Sequence, residues 1–284
     1  MTLVVTLALS TTMAAMSAAQ NGKMSLYDRL GGIHKIAQAA ANCVDMEDMD
    51  SMLLENSNFK MAVEGAPKPL VRFGLAGYLA HLAGGPQSAF FDIAAFDKGF
   101  MLTKEQRDHV WESRWMAFEK AGIEKGPFME LKSKYMVMFD KAKPMQPKLE
   151  TFKDMKSLYA RLGGIAPISM VVDDFVNMLA TDQTQLENPQ VVKSLTSGKI
   201  TGAGLKYLVT EQLAMAAGGP FKYTGKTMKE SHKDLMITEK QWESAAGILK
   251  KVLDKYQVPA KEQGEIFTII SSTHGDIVKG GSGK

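Results

Sequence analysis

One histidine stands where its neighbours make chemistry conceivable. Met228, His232 and Leu235 recur at i, i+4 and i+7, so the three share one face of a helix. A single imidazole between apolar neighbours suits one axial bond to a buried iron. Lone histidines on apolar faces are more often hydrogen-bonded core residues, and periodicity leaves both readings open. The chain has one cysteine, Cys43, so an intrachain disulfide, a Cys-x-x-Cys metal site and covalent haem attachment are all excluded. Twenty methionines, some clustered as Met46-Met49-Met52, could ligate Cu(I), but methionine filling helical cores in place of leucine is the simpler reading. The run Asp45-Met46-Glu47-Asp48-Met49-Asp50 reads as a solvated helix end.

The elements that position these residues come in duplicate. Ser25-Leu26-Tyr27-Asp28-Arg29-Leu30-Gly31-Gly32-Ile33 returns as Ser157-Leu158-Tyr159-Ala160-Arg161-Leu162-Gly163-Gly164-Ile165. Ala83-Gly84-Gly85-Pro86 returns as Ala217-Gly218-Gly219-Pro220, and Met101-Leu102-Thr103 as Met236-Ile237-Thr238. Three matches in one order indicate duplication of a domain-sized unit. With 284 residues, two moderate cores are expected, as units 24–140 and 156–279. The segment 141–155, with Pro144 and Pro147, is the linker. Each unit reads as helical: Met170, Val171, Phe175, Met178 and Leu179 recur at spacings of three and four, as do Leu205, Leu208, Val209 and Leu213. Thr103-x-x-Gln106 and Thr238-x-x-Gln241 have capping-box spacing. Pro259 opens a last helix carrying Ile266, Ile269, Ile270 and Ile277. The fold class is all-α. Residues 1–19 are uncharged and apolar, and read as a signal peptide cleaved after Ala19, which places the protein in the periplasm or outside the cell. Residues 280–284 form a flexible tail. Net charge +3 gives no footprint for nucleic acid, and no apolar run after the N-terminus is long enough for an integral membrane span.

In the second unit, Leu158-Tyr159-x-Arg-Leu-Gly-Gly-Ile, Val171-Val172-Asp173-Asp174-Phe175, Gly218-Gly219-Pro220-x-x-Tyr223-x-Gly225-x-x-Met228-x-x-x-His232 and Trp242 resemble the group 1 truncated haemoglobins. The resemblance covers about residues 156–278 and implies a shortened globin, a two-over-two helical sandwich around one noncovalent haem b. By resemblance, His232 is the iron ligand. The haem-binding set is Val176, Leu205, Lys206, Val209, Lys222, Tyr223, Met228 and Leu235, with the two lysines and Tyr223 assigned to the propionates. The family commonly has tyrosine at position 176 and often glutamine at 209, either of which hydrogen-bonds iron-bound oxygen; here both are valine. Loss of such a bond weakens oxygen retention roughly tenfold to a hundredfold. Tyr207, two residues from both Leu205 and Val209, points away from the iron.

The first unit departs from this pattern. The register of the repeat puts Ile93, Asp97 and Phe100 where Met228, His232 and Leu235 stand, and no shift of one or two residues recovers a histidine. This unit is expected to be globin-like without haem. His34 and His109 are expected to be exposed, and Cys43 to be a buried hydrophobe.

The function implied is a truncated haemoglobin that binds O2, NO or CO at a pentacoordinate iron in an apolar pocket, a ligand-binding haem protein more than an enzyme. The alternatives are a haem redox enzyme, such as an NO dioxygenase or weak peroxidase, and a structural or interaction protein. The first unit carries net charge −3 and residues 141–284 carry +5, a split that favours docking between units or onto a redox partner protein.

Overall fold

The computed structural model describes residues 24–145 and 150–280. The segment read as a signal peptide, the centre of the linker and residues 281–284 of the tail lie outside the described residues.

The principal helices of the first unit are α1 (Gly32–Glu47), α2 (Lys68–Leu82), α3 (Ile93–Gly99), α4 (Lys104–Lys120) and α5 (Lys125–Lys141). Those of the second are α6 (Ile165–Thr181), α7 (Gly202–Ala216), α8 (Met228–His232), α9 (Glu239–Lys255) and α10 (Ala260–Ser271). Short helical turns, Leu26–Arg29 and Leu158–Arg161, open the two units. The duplication is therefore visible element by element. Both capping boxes form: Thr103 and Thr238 accept from the backbone of Gln106 and Gln241, whose side chains bond back to the caps.

The repeated Gly-Gly-Pro string has a local cause. Gly84 and Gly218 have φ of 85° and 86°, a conformation costly for any side chain with a Cβ. At the second glycine, a Cβ would lie 2.5 Å from the ring of Tyr27 at Gly85 and 2.6 Å from that of Tyr159 at Gly219. The tyrosine of the opening motif and the glycines of the later one are thus two halves of one packing unit. Their backbones also meet, Tyr27 N donating to Ala83 O and Tyr159 N to Ala217 O.

The last helix departs from its expected reach. It ends at Ser271, and Ile277 lies in a separate turn, His274–Ile277. That turn leads into Val278–Gly280, which pairs in parallel with Ile237–Thr238. Gly280, expected in the tail, therefore belongs to this small ladder. Pieces of two and three residues are too short to show alternation. Among the described residues no helix is long and apolar enough to cross a membrane.

The units pack through equivalent faces, α1 and α2 of the first against α6 and α7 of the second, and one apolar core runs through both. Phe73 stacks on Tyr207 with ring centroids 4.8 Å apart, and Phe90 lies 4.6 Å from Phe221. His34 is half-buried in this contact, its carbonyl accepting from Thr201 Oγ1 at 2.7 Å. The expectation of an exposed His34 fails because the periodicity of one helix does not show a second unit covering it. His109 is also half-buried, 2.5 Å from Asp50. The acidic run is a set of ion pairs: Asp45 with Arg72, Glu47 with Arg114, Asp48 with Lys68. The described ends of the linker are also fastened. Met145 N donates to Ala95 O, and Glu150 accepts from Tyr159 Oη and from Ile165 N, the latter at 3.1 Å.

Candidate functional site

The short helix α8 is held in place at its start. Thr227 Oγ1 accepts from Glu230 N at 3.2 Å while the Glu230 carboxylate accepts from Thr227 N at 3.1 Å. Just before it, a Cβ on Gly225 would meet Tyr223 Oη at 2.4 Å, so glycine is needed where the Tyr223 ring folds back. Tyr223 Oη donates to Lys226 O at 2.9 Å, which closes this loop on itself.

At the end of α8, His232 Nδ1 lies 2.8 Å from Met228 O. A carbonyl can only accept, so Nδ1 carries the proton and Nε2 keeps a lone pair. His232 is half-buried, and burial pushes its pKa below the ordinary histidine value, with the Met228 hydrogen bond opposing the shift. The imidazole is therefore neutral near pH 7, with its orientation set and its outer nitrogen ready to ligate. Metal-bound histidines are fixed in this way by a partner on the other ring nitrogen. Met228 serves by its carbonyl as well as by its apolar side chain, which spacing alone did not reveal.

On α7, Leu205, Leu208, Val209 and Leu213 are half-buried, leaving apolar surface at the edge of the core. Leu235 is half-buried and Lys222 exposed. Three residues of the expected set face the first unit: Lys222, which borders a small pocket with Ser88 and Phe90, and Lys206 and Val176. Lys206 Nζ is 2.7 Å from Asp173 Oδ1, and both line a cavity between the units. Val176, 3% exposed, contributes to the wall of that same cavity. Asp173 lies on α6 of the same unit, but the resemblance gave no sign of the cavity, whose opposite wall belongs to the first unit. Tyr207 turns away from Leu205 and Val209 as their spacing requires, and its hydroxyl lies 3.4 Å from Glu211. Glu211, 3% exposed, accepts from Thr224 N at 2.6 Å and Thr224 Oγ1 at 2.7 Å, and burial pushes its carboxyl above the usual range. Thr224 Oγ1 in turn accepts from Gln87 of the first unit at 2.9 Å. Sequence reasoning missed this chain of contacts, which ties the loop before α8 to the neighbouring unit.

In the first unit Asp97 occupies the place equivalent to His232, and its surroundings are filled. Arg114 Nη2 lies 2.9 Å from Asp97, and Arg114 Nε lies 2.8 Å from Glu47. Tyr135 Oη donates to Asp97, and Trp111 packs edge-on against Tyr135 at 5.2 Å. Cys43 is fully buried beside this group, and burial raises its thiol pKa far above normal, so it stays protonated and unreactive. His81 Nδ1 lies 3.0 Å from Gln87 O.

Comparison with known proteins bears on the second unit. The bacterial-like globin family matches residues 157–279 and leaves the first unit uncovered. The chain is 33% identical over 132 residues to the group 1 truncated haemoglobin GlbN of Mycolicibacterium paratuberculosis, spanning 45% of this chain and 88% of that protein. The chain belongs to the group 1 truncated haemoglobin family. It is also 28% identical over 124 residues to the group 1 truncated haemoglobin LI410 of Chlamydomonas moewusii, spanning 43% of this chain and 68% of that protein. The family implies a haem cofactor, and the second unit fits one. It offers a neutral, half-buried imidazole whose Nδ1 is bonded to Met228 O, and half-buried apolar side chains on α7. This globin differs in carrying a second copy of its own fold.

Proposed function

We propose that the second unit holds one noncovalent haem b through Nε2 of His232 and takes a diatomic gas, O2, NO or CO, on the opposite side of a pentacoordinate iron. The observation that carries this reading is the Nδ1–H bond of His232 to Met228 O, which leaves one correctly tautomerised nitrogen on a rigid, capped turn. The haem supplies the iron at which the gas binds. Burial keeps the imidazole neutral, Leu205 and Val209 present hydrocarbon toward the ligand, and neither offers a donor to a bound oxygen. Lys222 is the candidate cation left for a propionate, since Lys206 is engaged by Asp173. Tyr223, whose hydroxyl proton goes to Lys226 O, lines the same loop.

We infer further that the first unit binds no haem, because the Glu47–Arg114–Asp97 group and the rings of Trp111 and Tyr135 occupy its interior. The apolar segment 2–19 supports export to the periplasm or beyond. A donor-poor pocket favours gas binding over oxygen chemistry, which needs polar groups to stabilise developing charge.

The deciding measurement is the haem-to-protein ratio and visible spectrum of the full chain and of His232→Ala, with far-ultraviolet circular dichroism as the folding control. One haem per chain, lost or spectrally altered in the folded variant, is expected. Two haems per chain, or an unchanged spectrum in the variant, would refute the assignment.

A further inference from the structure

Between the units lies a cavity of about 270 Å³, walled by helices from both. Its space comes from small side chains where α1 and α2 face α6 and α7: Ala37, Ala41 and Ala76 on one side, Ala180 and Ala203 on the other. The charged residues of the lining are Asp45, Arg72, Asp173 and Lys206. They form one connected group. Arg72 bonds to Asp45 and lies 3.9 Å from Asp173, which lies 2.7 Å from Lys206. Arg72 Nε is buried and, among the described residues, has no acceptor. The aromatic rings of Phe73 and Tyr207 complete the apolar wall.

This composition selects a class of ligand. A simple anion meets Asp45 and Asp173, and a simple cation meets Arg72 and Lys206, so either one alone suffers as much repulsion as attraction. A molecule carrying both an ammonium and a carboxylate finds an opposite charge for each. Its carboxylate can draw the Arg72 guanidinium into a bidentate pair that uses the idle Nε. The volume corresponds to roughly nine waters, enough for a compact metabolite. The alanine and aromatic walls suit a short hydrocarbon side chain.

We propose that the inter-unit cavity is a second binding site, separate from His232, for a small zwitterion of the α-amino-acid class with an apolar side chain. The site exists only because the fold is duplicated, since each unit supplies one carboxylate and one cation.

The test uses the full chain and the common L-amino acids at about 5 mM each, read by thermal stabilisation and then by isothermal titration. One or a few apolar amino acids are expected to raise the melting temperature and bind at one per chain. Ala41→Leu, which fills the cavity, is expected to abolish binding, and Lys206→Met to weaken it at least tenfold. Should Ala41→Leu not fold, Ala203→Val fills the opposite wall. Butyrate and butylamine, each with one charge, are expected to bind at least tenfold more weakly than the amino acid. Absence of binding by every amino acid, binding that survives the filled cavity, or equal binding of the singly charged probes would overturn the proposal.

Discussion

Arg114→Met in the first unit isolates the group that stands where the second unit keeps its histidine. The guanidinium is 10% exposed and serves two carboxylates, Glu47 at 2.8 Å and Asp97 at 2.9 Å, themselves 10% and 16% exposed. Removing the one cation leaves two buried anions uncompensated, and breaking a buried ion pair in this way costs about 3–5 kcal/mol. At roughly 2–4 °C per kcal/mol for a protein of this size, the melting temperature falls by about 6–20 °C. The loss must depend on pH with a definite sign. Burial already raises the Glu47 carboxyl above its usual range, against the pull of Arg114, and without Arg114 that rise is larger. A carboxyl whose folded pKa exceeds its unfolded pKa destabilises the fold as pH climbs from the unfolded value through the folded one. The variant should therefore be closest to the parent near pH 4 and furthest from it above neutrality. Urea denaturation followed by the fluorescence of Trp111 and Trp115, both in the affected unit, measures this. The triple variant Glu47→Gln, Asp97→Asn, Arg114→Met removes charge and countercharge together and should recover most of the loss. A penalty under about 1 kcal/mol that is flat with pH would mean that water reaches these groups and that the pocket is not sealed.

Other outcomes follow from single features. Gln257 has φ of 53° where the first unit has Gly122 at 72°, so Gln257→Gly should relieve left-handed strain and raise stability by up to about 1 kcal/mol in thermal melts. Gly204→Ala should do the opposite of the usual helix-stabilising exchange. A Cβ there would lie 2.2 Å from His34 Nδ1 and 2.6 Å from its Cα, so a loss of about 1–3 kcal/mol is expected by denaturant titration. Val209→Gln places a donor on the apolar face of α7, and stopped-flow oxygen dissociation should slow roughly tenfold to a hundredfold if that face meets the ligand. An unchanged rate would move the distal wall elsewhere.

The sequence made the duplication, the helices and His232 legible because each rests on short-range regularity. A nine-residue motif repeats, leucines and valines recur at helical spacing, and a fixed string leads to the histidine. The tautomer of His232 was not legible, since it depends on a carbonyl rather than on a side chain. Nor were the places of His34 and Lys206, or the pairing of the acidic run. Those residues take their partners from segments 20 to 167 positions away in sequence, and His34 takes its partner from a face that becomes a contact only when the second copy docks. A family resemblance confined to one unit cannot register the His34 contact, because a single-unit globin has no neighbour at that face.

The stacked pair Phe73 and Tyr207 also sets a schedule for synthesis. The first ring leaves the ribosome 134 residues before its partner, an interval of roughly 7–27 s at ordinary elongation rates. Throughout that interval the nascent first unit must fold with its docking face bare. Phe73 and Phe90 stand uncovered on that face until the second unit arrives, and the small side chains of Ala37, Ala41 and Ala76 limit the further hydrocarbon around them.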